Sequence, residues 1–196
     1  MVVTHALQDG RLVYTPGFLD ARDADALMAD LVRDVPWRRD EVRMFGRVHT
    51  APRLTAWFGD LGASYRYSGT TYDPLPWIPA LDALRARLVA RVPNVAWNAV
   101  LVNRYRDGRD HMGWHADDEP ELGPDPWVAS ISLGTARTFQ LKPRIGGERV
   151  DLELEHGSLL LMAPPTQRHW KHRLPKRLRI QGERLNLTFR SVRTTR

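Results

Sequence analysis

From Val95 to Arg190 the chain runs in short stretches of alternating side chains separated by turn residues, and a period of two restricts such stretches to β-strands. The candidate strands are Ala96 to Arg104, Val128 to Leu133, Thr138 to Leu141, Arg149 to Leu154, Ser158 to Met162 and Arg184 to Arg190. Breaks fall at Asp107-Gly108, Gly134, Gly146-Gly147 and His156-Gly157. Many short strands with glycine at their ends predict an antiparallel sandwich or jelly roll. The earlier part differs. Leu19, Ala24, Leu27, Met28, Leu31 and Val32 recur at helical spacing behind an Asp20 or Asp23 cap, ending at Asp34 with Pro36 beyond. A second helix starts near Pro79 and carries Leu81, Leu84, Leu88 and Val89 on one side until Pro93 stops it. Both read as helices laid against a sheet, and the alternating stretch Val42 to Gly69 reads as hairpins added at one edge. The fold class is therefore mainly β with flanking helices (α+β).

At 196 residues, 42% hydrophobic and 27% charged, the chain is long enough for one substantial core, and a single domain over residues 1–196 is expected. It contains no cysteine, which excludes disulfides, thiolate metal sites and cysteine nucleophiles and fits a reducing compartment. The first residues lack a basic segment followed by an apolar run, and nowhere do eighteen apolar residues follow one another. A cytoplasmic monomer with no membrane partner is expected. The net charge of +6 is unevenly placed: residues 137–196 hold 14 Lys and Arg against 5 Asp and Glu. A basic C-terminal third attracts polyanions, nucleic acid among them.

With thiolates excluded, metal ligands must be His, Asp or Glu. His115 and Asp117 form an HxD pair, and a second imidazole is offered by either His169 or His172 in Arg168-His169-Trp170-Lys171-His172. Two imidazoles and a carboxylate are the ligands of a non-haem Fe(II) site that keeps open coordination positions. Strand geometry adds a cosubstrate. Asn103 and Tyr105 share one strand face; Arg184, Asn186, Thr188 and Arg190 share another, opposite Leu185, Leu187 and Phe189. Arg184 and Arg190, whose Cα atoms lie about 20 Å apart at ~3.3 Å per residue, favour a dicarboxylate through paired hydrogen bonds.

The segments Asn103-Arg104-Tyr105-Arg106-Asp107-Gly108, Trp114-His115-Ala116-Asp117-Asp118-Glu119 and Arg184-Leu185-Asn186-Leu187-Thr188-Phe189-Arg190 resemble the AlkB family of Fe(II)- and 2-oxoglutarate-dependent dioxygenases, in particular its nucleic-acid dealkylating members. Further likeness lies at Ala129 to Gly134, His156 to Leu160, His169 to Pro175, Phe45-Gly46-Arg47 through Pro52-Arg53, Tyr65 to Gly69 and Pro76 to Pro79, covering most of residues 40–190.

The resemblance implies a double-stranded β-helix (jelly roll) over residues 95–196, with helices and a nucleotide-recognition lid in residues 1–94. It makes His115, Asp117 and His172 the iron ligands, selecting His172 over His169. It places Asn103, Tyr105, Arg184 and Arg190 around 2-oxoglutarate, with Arg190 on the distal carboxylate and Arg184 nearer the metal and Asp117. The implied reaction uses Fe(II), 2-oxoglutarate and O2 to hydroxylate an N-alkyl carbon on a base such as N1-methyladenine or N3-methylcytosine, giving succinate, CO2 and an aldehyde. The implied partner is alkylated DNA, with RNA as a further candidate. Tyr65, Asp118 and Glu119 match positions that hold a cationic base by stacking and carboxylate contact. Met44-Phe45 matches a hairpin that wedges into duplex DNA in some relatives. The bulky Trp114 and Met112 depart from the family pattern near the base site. Two other classes remain: a 2-oxoglutarate oxygenase that hydroxylates a protein or small molecule, and a non-catalytic nucleic-acid-binding jelly roll.

Overall fold

Alternation along the last strand sets which way the rest of the molecule faces. Residues 185, 187 and 189 pack under helices, while Arg184, Asn186, Thr188 and Arg190 line an internal cavity. The computed structural model describes residues 2–44, 47–67 and 70–193, with the backbone alone described for the strands within 42–49 and 65–71. In chain order the first half holds β1 (Val3–Leu7), β2 (Gly10–Thr15), α1 (Ala21–Asp34), β3 (Glu41–Met44), β4 (Arg47–Thr50), β5 (Leu54–Gly59), β6 (Tyr65–Tyr67), β7 (Thr70–Tyr72) and α2 (Pro79–Arg91). The second half holds β8 (Ala99–Tyr105), β9 (Met112–His115), β10 (Val128–Gly134), β11 (Arg137–Pro143), β12 (Val150–Leu154), β13 (Ser158–Ala163), the short α3 (Thr166–His169), β14 (Trp170–Leu174) and β15 (Arg184–Arg190).

Seven strands form one antiparallel sheet in the order β1-β2-β13-β10-β15-β8-β5, and four form a second in the order β12-β11-β14-β9. The hairpins β3-β4 and β6-β7 stand as separate two-stranded sheets. This mostly antiparallel pair of sheets is consistent with a jelly-roll core. The large sheet is buried on both faces. One face meets α1 and α2 through Ile131, Leu133, Leu185 and Leu187 against Leu31, Leu81, Leu84 and Leu88. The other meets the small sheet through Leu12, Val128, Leu160 and Met162 against Phe139, Leu141, Leu152 and Trp170. Burial on two sides is why β13, Ser-Leu-Leu-Leu-Met-Ala, is nearly continuously apolar.

Both helices stand where the periodicity puts them. Asp20 is the cap of α1, its carboxylate accepting from the Asp23 amide at 2.8 Å, and Pro79 opens α2. Val89, expected on the packed side of α2, is 42% exposed instead. The strand expected from Ala96 begins at Ala99. Five strands lie outside the stretches the sequence predicts as strands: β1, β2, β7, β9 and β14; β5 falls within Val42 to Gly69 and is the edge strand of the large sheet. In β14 the inward Trp170, His172 and Leu174 alternate with Lys171 and Arg173, and an inward histidine disguises the apolar face. Because β1, β2 and β5 join the large sheet, the core does not begin at residue 95, and only the two small hairpins stand outside the paired sheets among the strands of the first half.

The Asp107-Gly108 break is a docking point as well as a turn. The Gly108 amide donates to the Ile180 carbonyl at 2.8 Å, and its carbonyl accepts from the Arg177 amide at 2.7 Å. Buried Arg137 ties the same two segments, donating to the carbonyls of Asp110 at 3.1 Å and Pro175 at 2.8 Å. A Cβ on Gly108 would lie 1.8 Å from the Arg177 carbonyl oxygen. Gly108→Ala is therefore expected to cost about 1–3 kcal/mol through forced backbone displacement. For a chain of this size that is a fall of ~2–12 °C in Tm, read by calorimetry against wild type.

Candidate metal centre and cosubstrate cavity

Strand pairing brings the two imidazoles together. In the β9-β14 ladder His115 is the direct partner of His172, so both side chains leave the same sheet face. Their rings lie 4.2 Å apart, edge to face. Asp117 follows two residues beyond β9, and its amide donates to the Gln167 side chain of α3 at 2.9 Å, which fixes the loop. One ligand atom from each of His115, Asp117 and His172 lies within 4.8 Å of the others, close enough to hold a metal ion. His169 is not in the cluster.

The protonation of the three groups suits a divalent cation. The nearest partner of His115 Nδ1 is the Gly113 carbonyl at 2.9 Å. A carbonyl only accepts, so Nδ1 carries the proton and Nε2 keeps its lone pair for a metal. Burial lowers the pKa of His115 and pushes that of His172 down to about 3, with the neighbouring His115 adding to the latter shift. Neutral imidazole is the ligating form. Burial acts on the Asp117 carboxyl in the opposite sense, but Arg190, His172 and His115 outweigh it and hold the pKa at about 2. Arg190 Nη2 donates to Asp117 Oδ1 at 2.7 Å, with both side chains almost fully buried. One carboxylate oxygen is thus committed to the arginine and the other is available to a cation.

A cavity extends from this triad along the inward face of β8 and β15. Asn103, Tyr105, Arg184 and Arg190 all line it, as the sequence leads one to expect. Tyr105 is the cross-strand partner of Arg184, and Asn103 of Asn186. The order of the two arginines is the reverse of the expectation. Arg190, through its bond to Asp117, stands at the metal end; Arg184 stands at the far end, with Nη2 donating to Ser132 Oγ at 2.9 Å. Arg184 is 2% exposed, and burial with the nearby Arg137 lowers its pKa to about 10 against the opposing pull of Tyr105, so it stays cationic at neutral pH. Its Nε is buried with no acceptor among the described residues. A buried guanidinium with an unanswered donor, a cavity's length from two imidazoles and a carboxylate, fits a dicarboxylate whose other end reaches a metal.

A second cavity shares Leu101, Met112, His115, Asp117 and Arg190 with the first. Its far wall is made by Arg38, Asp40, Thr55, Trp57, Tyr72 and Glu119. Glu119 thus lies on the second cavity. Asp118 does not: it lines neither cavity, is half exposed, and is ion-paired with Arg144. Tyr65 begins β6, described by its backbone, and Phe45 lies outside the described residues. Sequence reading passed over Arg53, which is buried and donates through Nε to Asn103 Oδ1 at 2.8 Å. The available signal was period two: Arg53, Thr55 and Trp57 line the cavity, while Ala56 and Phe58 enter the core.

The fold and this site define a non-haem iron oxygenase. Residues 11–190 match the profile of the 2OG-Fe(II) oxygenase superfamily. The chain is 44% identical over 185 residues to DNA oxidative demethylase ALKBH2 of Mus musculus, covering 89% of this chain and 77% of that one. It is 41% identical over 192 residues to mouse alpha-ketoglutarate-dependent dioxygenase alkB homolog 3, covering 93% and 66%. The chain belongs to the AlkB family of Fe(II)- and 2-oxoglutarate-dependent dioxygenases. Among solved structures, OsALKBH1 superposes with a TM-score of 0.64 at 18% identity over 96% of this chain and all of that one. A 2OG-Fe(II) oxygenase-family oxidoreductase from Burkholderia pseudomallei gives 0.63 at 15% identity over 94% of this chain and 88% of that one. At these identities the likeness is one of fold. Among the described residues no helix is long and apolar enough to cross a membrane.

Proposed function

We propose that this chain is an Fe(II)- and 2-oxoglutarate-dependent demethylase that removes N-alkyl groups from bases in DNA, with RNA as a second substrate, and so repairs alkylation damage. The observation that carries the reading is the pair of cavities meeting at His115, Asp117 and Arg190. One is shaped for a dicarboxylate. The other is walled by aromatic, carboxylate and arginine side chains. The names of the mouse relatives, a DNA oxidative demethylase and an alpha-ketoglutarate-dependent dioxygenase, support the substrate and cosubstrate.

In this reading His115, Asp117 and His172 hold Fe(II), and Arg184, Asn103 and Tyr105 receive 2-oxoglutarate in the first cavity. Arg190 keeps Asp117 ionised and oriented. Iron held there would supply O2 activation coupled to decarboxylation of 2-oxoglutarate to succinate and CO2, with one oxygen atom going to the N-alkyl carbon. The resulting N–CH2OH product then breaks at the C–N bond: the hydroxyl proton is lost, the C–N electron pair returns to the ring nitrogen and neutralises the base, and formaldehyde departs. The cavity that would receive a base made cationic by alkylation is lined by the anionic Glu119 and the aromatic Trp57 and Tyr72. Reaching such a base within a duplex requires flipping it from the stack, at a cost of a few kcal/mol. We assign the nucleotide-recognition lid to the β3-β4 and β6-β7 hairpins, with Tyr65 as a stacking residue and Phe45 as a wedge. A cytoplasmic monomer completes the reading.

The test is anaerobic loading with Fe(II), then O2 and 2-oxoglutarate with oligonucleotides bearing N1-methyladenine or N3-methylcytosine, in matched single- and double-stranded DNA and RNA. Formaldehyde and succinate are expected in equal amounts. Metal-loaded protein that forms succinate only with a protein or small molecule, and never removes the methyl group, would sink the proposal. Tyr65→Ala should raise KM for the oligonucleotide about 10-fold, in line with the ~1–3 kcal/mol of a base stack, while leaving 2-oxoglutarate affinity near wild type.

A further inference from the structure

On the wall of the second cavity facing the triad stands an arginine that the metal and cosubstrate do not use. The backbone of Arg38 is fastened to β5 twice, its amide donating to the Thr55 carbonyl at 3.0 Å and its carbonyl accepting from the Thr55 amide at 2.8 Å. Its guanidinium carbon lies 4.0 Å from the centroid of the Tyr72 ring. Its Nε lies 3.1 Å from Asp40 Oδ1. Asp40 is itself buried, with Oδ2 accepting from Thr55 Oγ1 at 2.6 Å.

This arrangement differs from that of an ordinary surface arginine. A long cationic side chain normally gives up rotamer freedom when it takes a ligand. Here a ring face, a buried carboxylate and a strand bridge have already imposed that order, although the side chain is 40% exposed. Asp40 stands on the Nε side by charge alone, without a hydrogen bond to Nε, and among the described residues no hydrogen bond engages the Nη1-Nη2 edge, whose two parallel donors match two oxygens of one phosphate. Other charges on this cavity are committed or of the opposite sign: Arg53 bonds Asn103, Arg190 bonds Asp117, and Glu119 is acidic. A nucleotide cannot deliver its base through this cavity to the triad without bringing its backbone phosphate to the rim.

We infer that Arg38, laid flat on Tyr72 and tied to Asp40, is the docking group for the phosphodiester that flanks the inserted base, so that the enzyme takes a nucleotide within a strand in preference to a free nucleoside. The inference rests on the nucleic-acid reading above. It names a recognition element that acts on the backbone, not on the lesion.

Wild type, Arg38→Met, Arg38→Lys and Tyr72→Leu are compared on a methyladenine trinucleotide and on N1-methyladenosine, with salt titrations of oligonucleotide binding by fluorescence anisotropy. In Arg38→Met the ratio of kcat/KM for the trinucleotide over that for the nucleoside is expected to fall tenfold or more, with the change in KM. The slope of log affinity against log salt should shrink by about 0.7, one phosphate contact on a single strand. Arg38→Lys should restore the slope but only part of the ratio, because the charge returns without the fork. Tyr72→Leu should reproduce part of the loss through a guanidinium no longer held in place. An unchanged ratio together with an unchanged salt slope overturns the inference and assigns Arg38 to packing. Wild type that demethylates neither compound nor any longer oligonucleotide, while still consuming 2-oxoglutarate, overturns the nucleic-acid reading itself.

Discussion

Asp117→Ala should leave a protein that releases no aldehyde above the protein-free control and unfolds well below wild type even after both have been treated with chelator. The first loss follows from removing the one anionic ligand among His115, Asp117 and His172. The second arises because Arg190, 3% exposed, would then sit in the interior with its carboxylate gone. Breaking one side of a buried ion pair costs about 3–5 kcal/mol, which for a chain of this size is a fall of ~6–20 °C in Tm. Asp117→Asn separates the two effects. The amide oxygen can still accept from Arg190, so most of the stability should return while metal binding and turnover do not. Metal stoichiometry and calorimetry on the two variants read this directly. Equal melting temperatures for Asp117→Ala and wild type, both without metal, would show that the Arg190 pair contributes nothing to the fold.

Arg184→Met and Arg190→Met should fail in different ways. Arg184 ends the cosubstrate cavity, and its substitution should raise KM for 2-oxoglutarate by 30-fold or more, the effect of about 2–5 kcal/mol from truncating one side of a buried charged contact. Its effect on stability should be small or favourable, since removing a desolvated cation relieves a burial penalty. Arg190→Met should weaken metal retention and lower Tm instead, because it frees Asp117. Arg184→Lys should recover little, as a point charge does not replace a planar fork. Succinate formation across a 2-oxoglutarate titration, set beside metal stoichiometry, distinguishes the pair. The opposite assignment of defects would return Arg190 to the distal carboxylate.

Much of the chemistry was legible because it is local in sequence. Alternation in Arg184 to Arg190 put four polar side chains on one face, and all four line the cosubstrate cavity. The proline and aspartate at the helix starts did the same for α1 and α2. Short strands were harder. The four residues of β9 carry too few alternations to stand out, although His115 ends them. Asp118 shows a further limit: the family resemblance matched it to a base contact, but it pairs with Arg144 just beyond β11 and lines neither cavity.

By itself the sequence determined the kinds of ligand and which side chains share a face. Excluding cysteine left only nitrogen and oxygen donors, and a strand's period of two is a property of each strand alone. Tertiary structure alone decided which end of that face meets the metal. The direction of β15 is set by pairing with β8 and β10, strands whose paired residues lie fifty or more positions away in sequence. Their joint placement against the β9-β14 edge brings Arg190 to Asp117 and leaves Arg184 at the far end of the cavity. Reversing that relation would exchange the two arginines while leaving every local pattern intact, which is why no reading of the strand alone can order them.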